Sequence, residues 1–218
     1  DKTAIGLLPL CFGDATKFSG YLLDADKHYQ ASCSLCIETT TGDAAGEVVK
    51  EMPIPDLNEA QIDGVLKEFR GDIQQIPPMY SALKHKGQRL YKLAYQGIEV
   101  ERPARPVKIY HLKLLSQEKN GFEIDVRCSK GTYIRALARD IGEALGCGAY
   151  VETLRRTRIG SVDVDVAVPL EEIHSLAEAD PQRLWLHPMA ALRDRLPMVG
   201  IDVEEARDFT RGRVVDGM

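Results

Sequence analysis

Residues 122–137 read FEIDVRCSKGTYIRAL, and within this stretch the apolar period changes from two to 3.6. Phe122, Ile124, Val126 and Cys128 alternate with Glu123, Asp125 and Arg127, the pattern of a strand with one buried face. From about Thr132 to Leu145, Ile134, Leu137, Ile141 and Leu145 share one helical face, and Gly146 comes next to end the helix. Upstream, Val107 to Leu115 supplies a second strand, and Asn120-Gly121 is the turn dipeptide that would fold it onto the first. A hairpin that runs straight into an amphipathic helix makes the fold either α/β or α+β.

The same periods extend in both directions. Residues 14–24 read as a short helix through Phe18, Tyr21 and Leu22, and Tyr29, Ala31, Cys33, Leu35 and Ile37 as a half-buried strand. Asn58 with Gln61 forms a capping box before the stripe Ile62, Val65, Leu66 and Phe69. Pro77-Pro78 excludes a helix, Lys86-Gly87 suits a hairpin turn, and Arg89 to Gln96 predicts a short helix closed by Gly97. Strands are expected at 149–159 and 162–168, and an acidic helix at Leu170–Ala179. Pro181, Pro188 and Pro197 punctuate the next twenty or so residues, with a strand expected at Met198–Ile201 and a helix at Val203–Phe209. A boundary is therefore expected near 190–197, and the piece after it is too short to fold alone.

The 218 residues are 44% hydrophobic, enough for a sizeable core, and no run of 18 apolar residues would span a membrane. The first residue is Asp1 rather than Met, so the chain is expected to be truncated or processed at that end. Five cysteines, an odd number, argue for a reducing compartment. Cys33 and Cys36 form a CxxC on a strand pattern with no second pair, which reads as neighbouring thiols rather than a metal site. Net charge is −5, yet residues 84–108 carry a local +5 and residues 127–158 a local +4, leaving −14 for the rest. Such segregation fits a basic face on an acidic body, and it is local potential that attracts phosphates.

Three places could carry chemistry. Arg135 and Tyr133 lie at a strand-to-helix junction beside Lys130-Gly131, where close backbone approach and helix amides favour anions. A site shared by these two side chains requires the non-helical part of the junction. Tyr29 opens a strand after the polar run Asp24 to His28, and Pro77 to Lys84 sets Tyr80 beside a rigid turn. A surface ion pair, a core tyrosine and a packed loop explain the same residues equally well.

Order along the chain narrows these choices. Asp1-Lys2-Thr3-Ala4-Ile5-Gly6-Leu7-Leu8-Pro9 resembles the DPxATGxLP signature of the TruB family of tRNA pseudouridine synthases. Gly13 to Phe18 is similar to that family's GxATK segment, and Asp26-Lys27-His28-Tyr29 to its D-K-x-Y. PPMYSALK at 77–84 with Lys86-Gly87 and Leu90-Tyr91, CSKGTYIR at 128–135, and Leu154-Arg155-Arg156-Thr157 match further motifs in the family's order.

The resemblance implies a mixed, mainly antiparallel sheet flanked by helices, an α+β fold. It implies a catalytic domain at 1–192, with a segment missing before Asp1, and the start of a small PUA-like domain at 193–218. It implies isomerisation of the T-loop uridine of tRNA by base flipping; a catalytically impaired tRNA-binding relative is the alternative. By position, Asp1 matches the catalytic aspartate, Tyr29 the tyrosine that packs on the target base, and Arg135 the arginine that pairs with the carboxylate. Tyr133 and Leu154 match the uridine pocket; Tyr80, Lys84, Lys86, Arg89, Tyr91 and Lys130 fall in segments expected to hold the T-arm. No electrons or phosphoryl groups move in this reaction, so neither cofactor nor metal is expected, and the expected form is a cytoplasmic monomer. Lys2 and Ile5 stand where the family has Pro and Thr, removing a fixed φ and a hydroxyl from the diagnostic loop.

Overall fold

The computed structural model describes residues 3–180, 182 and 199–213. Asp1 and Lys2, and the stretch 183–198 in which the domain boundary is expected, lie outside the described residues. In chain order the elements are β1 (Ala4–Gly6), α1 (Ser19–Asp24), β2 (Lys27–Leu35), β3 (Ile37–Thr39), β4 (Val48–Glu51), α2 (Glu59–Glu68) and β5 (Gly71–Gln75). Next come β6 (Lys84–His85), β7 (Gln88–Arg89), α3 (Leu90–Ala94), β8 (Arg105–Glu118), β9 (Gly121–Cys128), α4 (Ile134–Ala144), β10 (Ala149–Ile159), β11 (Val162–Asp163), α5 (Ile173–Ala179) and α6 (Val203–Thr210).

Seven strands form one sheet in the order β1-β10-β2-β9-β8-β5, with β11 on β10. Every pairing is antiparallel except β1 on β10. The α+β expectation therefore holds. Alternation explains which face is dry. Ala31, Cys33 and Leu35 of β2, with Phe122, Ile124 and Val126 of β9, point into a core with Ile62 and Leu66 of α2 and Leu137 and Ile141 of α4. Each of the two helices buries its stripe on that face. The capping box at Asn58 and Gln61 is present on both arms, at 3.0 and 2.9 Å.

The other face is wet, and polar side chains meet across its strands: His28 with Asp125 at 2.6 Å, Ser34 with Glu152 at 2.8 Å, Thr153 with Ser32 at 2.9 Å. At one edge, Gly6 adopts φ 94°, and a Cβ there would collide with the carbonyl of Arg156. Only glycine lets β1 press so closely on β10. Leu7 N then donates to Arg156 O, and Arg156 Nε to Leu7 O, both at 2.8 Å.

Two expected strands are corrected. The one at 162–168 stops at Asp163, whose carboxylate accepts from Asp165 N at 3.2 Å and starts a 3₁₀ turn at Val164–Val166. Val199–Ile201 form no strand, although the capped helix after them is present. No helix among the described residues is long and apolar enough to cross a membrane.

All five cysteines are free thiols. Burial pushes Cys33 and Cys128 up from 9.0 to about 12. The folded chain thus keeps protons that the unfolded chain releases, so their stabilisation is complete below pH 9 and lost as pH rises toward 12. The urea midpoint should hold up to about pH 9 and fall above it, and Cys33→Ala should flatten part of that fall. An identical alkaline slope in the variant would assign the loss to other groups.

Candidate active site

α4 begins without a side-chain cap: Tyr133 precedes it in extended geometry, φ −105° and ψ 112°. What fixes this start is Gln75, 1% exposed at the end of β5. Its Nε2 donates to Tyr133 O at 3.1 Å, and Tyr133 N donates to its Oε1 at 2.8 Å. A side-chain amide thus pairs with both the N–H and the C=O of Tyr133 and satisfies two part-buried backbone atoms.

Arg135, the second helical residue, is thereby turned inward and is 7% exposed. Its Nη1 donates to Thr41 O at 2.7 Å and its Nη2 to Tyr80 O at 2.8 Å. Nη1 also lies 3.4 Å from Asp43 Oδ2, and both side chains of this ion pair are nearly inaccessible, at 7% and 6%. Asp43 is held in turn, since its Oδ1 accepts from Thr41 Oγ1 at 2.6 Å and Ala45 N at 3.1 Å. Gly42 between them takes φ 73°, and Val151 N to Gly42 O and Ala44 N to Val151 O, each 3.1 Å, tie the turn to β10. Burial pulls the Arg135 guanidinium below the ordinary arginine value, while Asp43 pulls it back up.

Over this pair opens a cleft of about 630 Å3. Thr40, Thr41, Asp43 and Glu47 line it together with Tyr80, Tyr91 and Tyr95. The tyrosines meet edge to face, Tyr80–Tyr95 at 5.5 Å between centroids and Tyr91–Tyr95 at 6.3 Å. A cleft with a desolvated cation at its base and aromatic rings in its lining suits a planar, polar-edged ligand such as a nucleobase.

The expected site residues do not all gather here. Arg135, Tyr80 and Tyr91 line the cleft. Tyr133 stands at the foot of α4 through its backbone. Tyr133 is the extended residue just before the helix but Arg135 is already helical, so the two do not both lie in the non-helical part of the junction that a shared site requires. Tyr29 lies in the sheet between Arg156 of β10 and Val126 of β9, and Leu154 is buried opposite Ala31 and Ala4. Burial pushes the Tyr29 phenol above its ordinary value, against the Arg156 guanidinium that hydrogen-bonds it. Lys84, Lys86 and Arg89 sit exposed on the β6–β7 hairpin, whose turn has Lys86 and Gly87 both at positive φ. Lys130 is exposed and 2.9 Å from Asp24. Ile5 is 66% exposed on β1. Gln75, Thr41, Asp43 and Tyr95 were not singled out from sequence; the run Thr40-Thr41-Gly42-Asp43 shows only a polar turn.

Residues 1–134 match the model of the TruB family pseudouridylate synthase N-terminal domain, and residues 135–196 that of the tRNA pseudouridylate synthase B C-terminal domain. The chain belongs to the TruB family. The border between the two models falls at Ile134/Arg135, inside α4, so the cleft draws on both matched stretches. A tRNA pseudouridine synthase B of Azoarcus sp. is 52% identical over 98% of this chain and 70% of its own length. That of Chromohalobacter salexigens is 48% identical over 98% of this chain and 69% of its own. Among solved structures, a Cbf5-Nop10-Gar1 complex aligns at a TM-score of 0.61 and 30% identity, over 82% of this chain and 45% of that one. An H/ACA RNP bound to a substrate RNA containing 2'-deoxyuridine aligns at 0.51 and 25% identity, over 81% and 42%. This chain thus spans under half the length of either structural relative.

Removing the guanidinium leaves Asp43 Oδ2 without its cation and the carbonyls of Thr41 and Tyr80 without that donor, while Asp43 Oδ1 keeps Thr41 Oγ1 and Ala45 N. Arg135→Met should therefore lower stability by about 3–5 kcal/mol in urea titration. A loss below about 1 kcal/mol would mean that the cleft opens and lets water replace Arg135.

Proposed function

We propose that this TruB-family chain isomerises uridine to pseudouridine in tRNA, acting on the T-loop uridine after that base leaves the stack. The observation that carries this reading is the buried Arg135 at the base of an aromatic-walled cleft. A guanidinium desolvated to this degree is suited to hold a carboxylate ionised, and Asp1 is the residue assigned as nucleophile. The chain enters the sheet through β1, next to β10, and the turn that carries Asp43 is bridged to the same strand.

In the reaction the C1′–N1 bond of the nucleoside breaks and the base rotates. C1′ then joins C5, and the proton on C5 is lost to solvent while N1 gains one. Asp1 starts this either by attack at the ribose or by initiating glycal formation. Tyr29, whose phenol burial pushes above its ordinary value, is assigned to offer its ring to the target base. Flipping costs a few kcal/mol, which contacts to the folded T-arm offset. Lys84, Lys86, Arg89 and Lys130 are exposed and can supply phosphate contacts, and this reading assigns Tyr133 and Leu154 to the pocket for the base. The same reading places the catalytic unit at 1–192 and the start of a PUA-like domain at 193–218, in a monomer that works in the cytoplasm.

Full-length protein should release tritium from tRNA labelled at C5 of uridine, and only from the T-loop position. Asp1→Asn should abolish release while leaving tRNA binding within about twofold. Full activity in that variant would remove Asp1 from the mechanism. Binding without release by the unaltered protein would instead point to Lys2 and Ile5 as an impaired loop.

A further inference from the structure

Tyr95 is the one ring of the cleft that remains largely open, 65% exposed against the half-buried Tyr80 and Tyr91. Its position is nevertheless fixed. It closes α3, with its N–H donating to Tyr91 O at 3.1 Å, so the two tyrosines share one helical face. α3 is anchored from below by Leu90 and Leu93, which are 3% and 8% exposed, and by Leu90 N to Leu83 O and Tyr91 N to Ser81 O at 2.8 and 3.0 Å. Gly97, at φ 72°, then turns the chain away. Both neighbouring rings stand nearly perpendicular to Tyr95, at 81° and 80°, and brace it without covering it.

An exposed ring held in one orientation loses little entropy when a flat partner stacks on it. The surrounding segment adds charge, since Lys84, Lys86, Arg89 and Lys92 are all exposed along the β6–β7 hairpin and α3. Aromatic rings interleaved with cations are the means by which proteins hold unpaired nucleotides, the ring taking the base and the cations the backbone. Tyr95 lines the cleft and is exposed, whereas Tyr29, which the proposed function assigns to the target base, lies in the sheet.

We propose that Tyr95 stacks a second nucleobase of the RNA substrate, one flanking the target uridine, and so helps to hold the RNA at the cleft. This rests on the function proposed above and adds a binding subsite to it. Stacking of this kind is sequence-tolerant and, when lost, weakens binding roughly five- to hundred-fold.

The test uses full-length protein and a T-arm hairpin carrying 2-aminopurine at the nucleotide on either side of the target, whose fluorescence is quenched on stacking. Unaltered protein and Tyr95→Phe should quench one of the two probes. Tyr95→Ala should lose that quench and raise KM roughly five- to hundred-fold while kcat in tritium release stays unchanged. Tyr95→Ala loses two edge-to-face contacts and should melt only slightly below the parent, and Tyr95→Leu, apolar but not aromatic, should repeat its loss of quench. Unchanged quench and KM in Tyr95→Ala, with tritium still released, would overturn this inference alone. Failure of the unaltered protein to bind the hairpin would overturn the proposed function, and this subsite with it.

Discussion

Burying one guanidinium organises the centre of this molecule. A charged group taken out of water costs several kcal/mol unless its donors meet acceptors. Arg135 meets that demand with the carbonyls of Thr41 and Tyr80 and the carboxylate of Asp43. These acceptors come from segments 94 and 55 positions away in sequence, so satisfying one side chain fixes a turn, a loop and a helix relative to each other. Neither carbonyl belongs to a ladder of the main sheet, and both are therefore available to face the cleft. The buried pair is thus better understood as a device for position than as a source of net stability.

The sheet makes that arrangement possible by giving β10 several tasks. It pairs with β1, β2 and β11, and through Val151 it bridges to Asp43. Its register shifts between Val151 and Thr153 and again between Arg156 and Arg158. Local irregularity of this kind re-aims side chains without ending the pairing. The strand that receives the N-terminal signature is therefore also the strand that holds the acidic turn beneath Arg135.

Long elements with one dry face were legible in the sequence, because period and burial agree there: the β8–β9 hairpin, α4, and α2 with its capping box. β5 was not, since Gly-Asp-Ile-Gln-Gln is short and polar and owes its strand to β8 alongside it. β1 escaped for a similar reason, being three residues long and exposed throughout. At the site, Arg135, Tyr80 and Tyr91 were reached through the order of motifs. Asp43 and Gln75 were not. A lone Asp in Thr-Thr-Gly-Asp looks like a turn, and Gln75 acts on a backbone group 58 positions away, so no local pattern marks either. The packing signal is local and periodic; the site signal is non-local and depends on which polar groups burial leaves needing a partner.

Charge shows the same division. The two basic windows look alike in sequence, yet the fold treats them differently. In the second, Arg127, Lys130, Arg135, Arg139 and Arg158 each lie within ion-pair distance of an aspartate, and Arg156 donates to Leu7 O. In the first, Arg102 pairs with Glu99 and Lys108 lies near Asp72, but Lys84, Lys86 and Lys92 are exposed, and among the described residues none of these three has a carboxylate within that distance. A cation already facing a carboxylate must give up that pairing before it can meet a phosphate, while a solvated lysine releases only water and counterions. The attraction for a polyanion therefore concentrates on the β6–β7 hairpin and α3, beside the aromatic wall. A chain of net charge −5 can in this way present a short basic segment beside its cleft while Arg127, Arg135, Arg139 and Arg158 are engaged with aspartates of the fold.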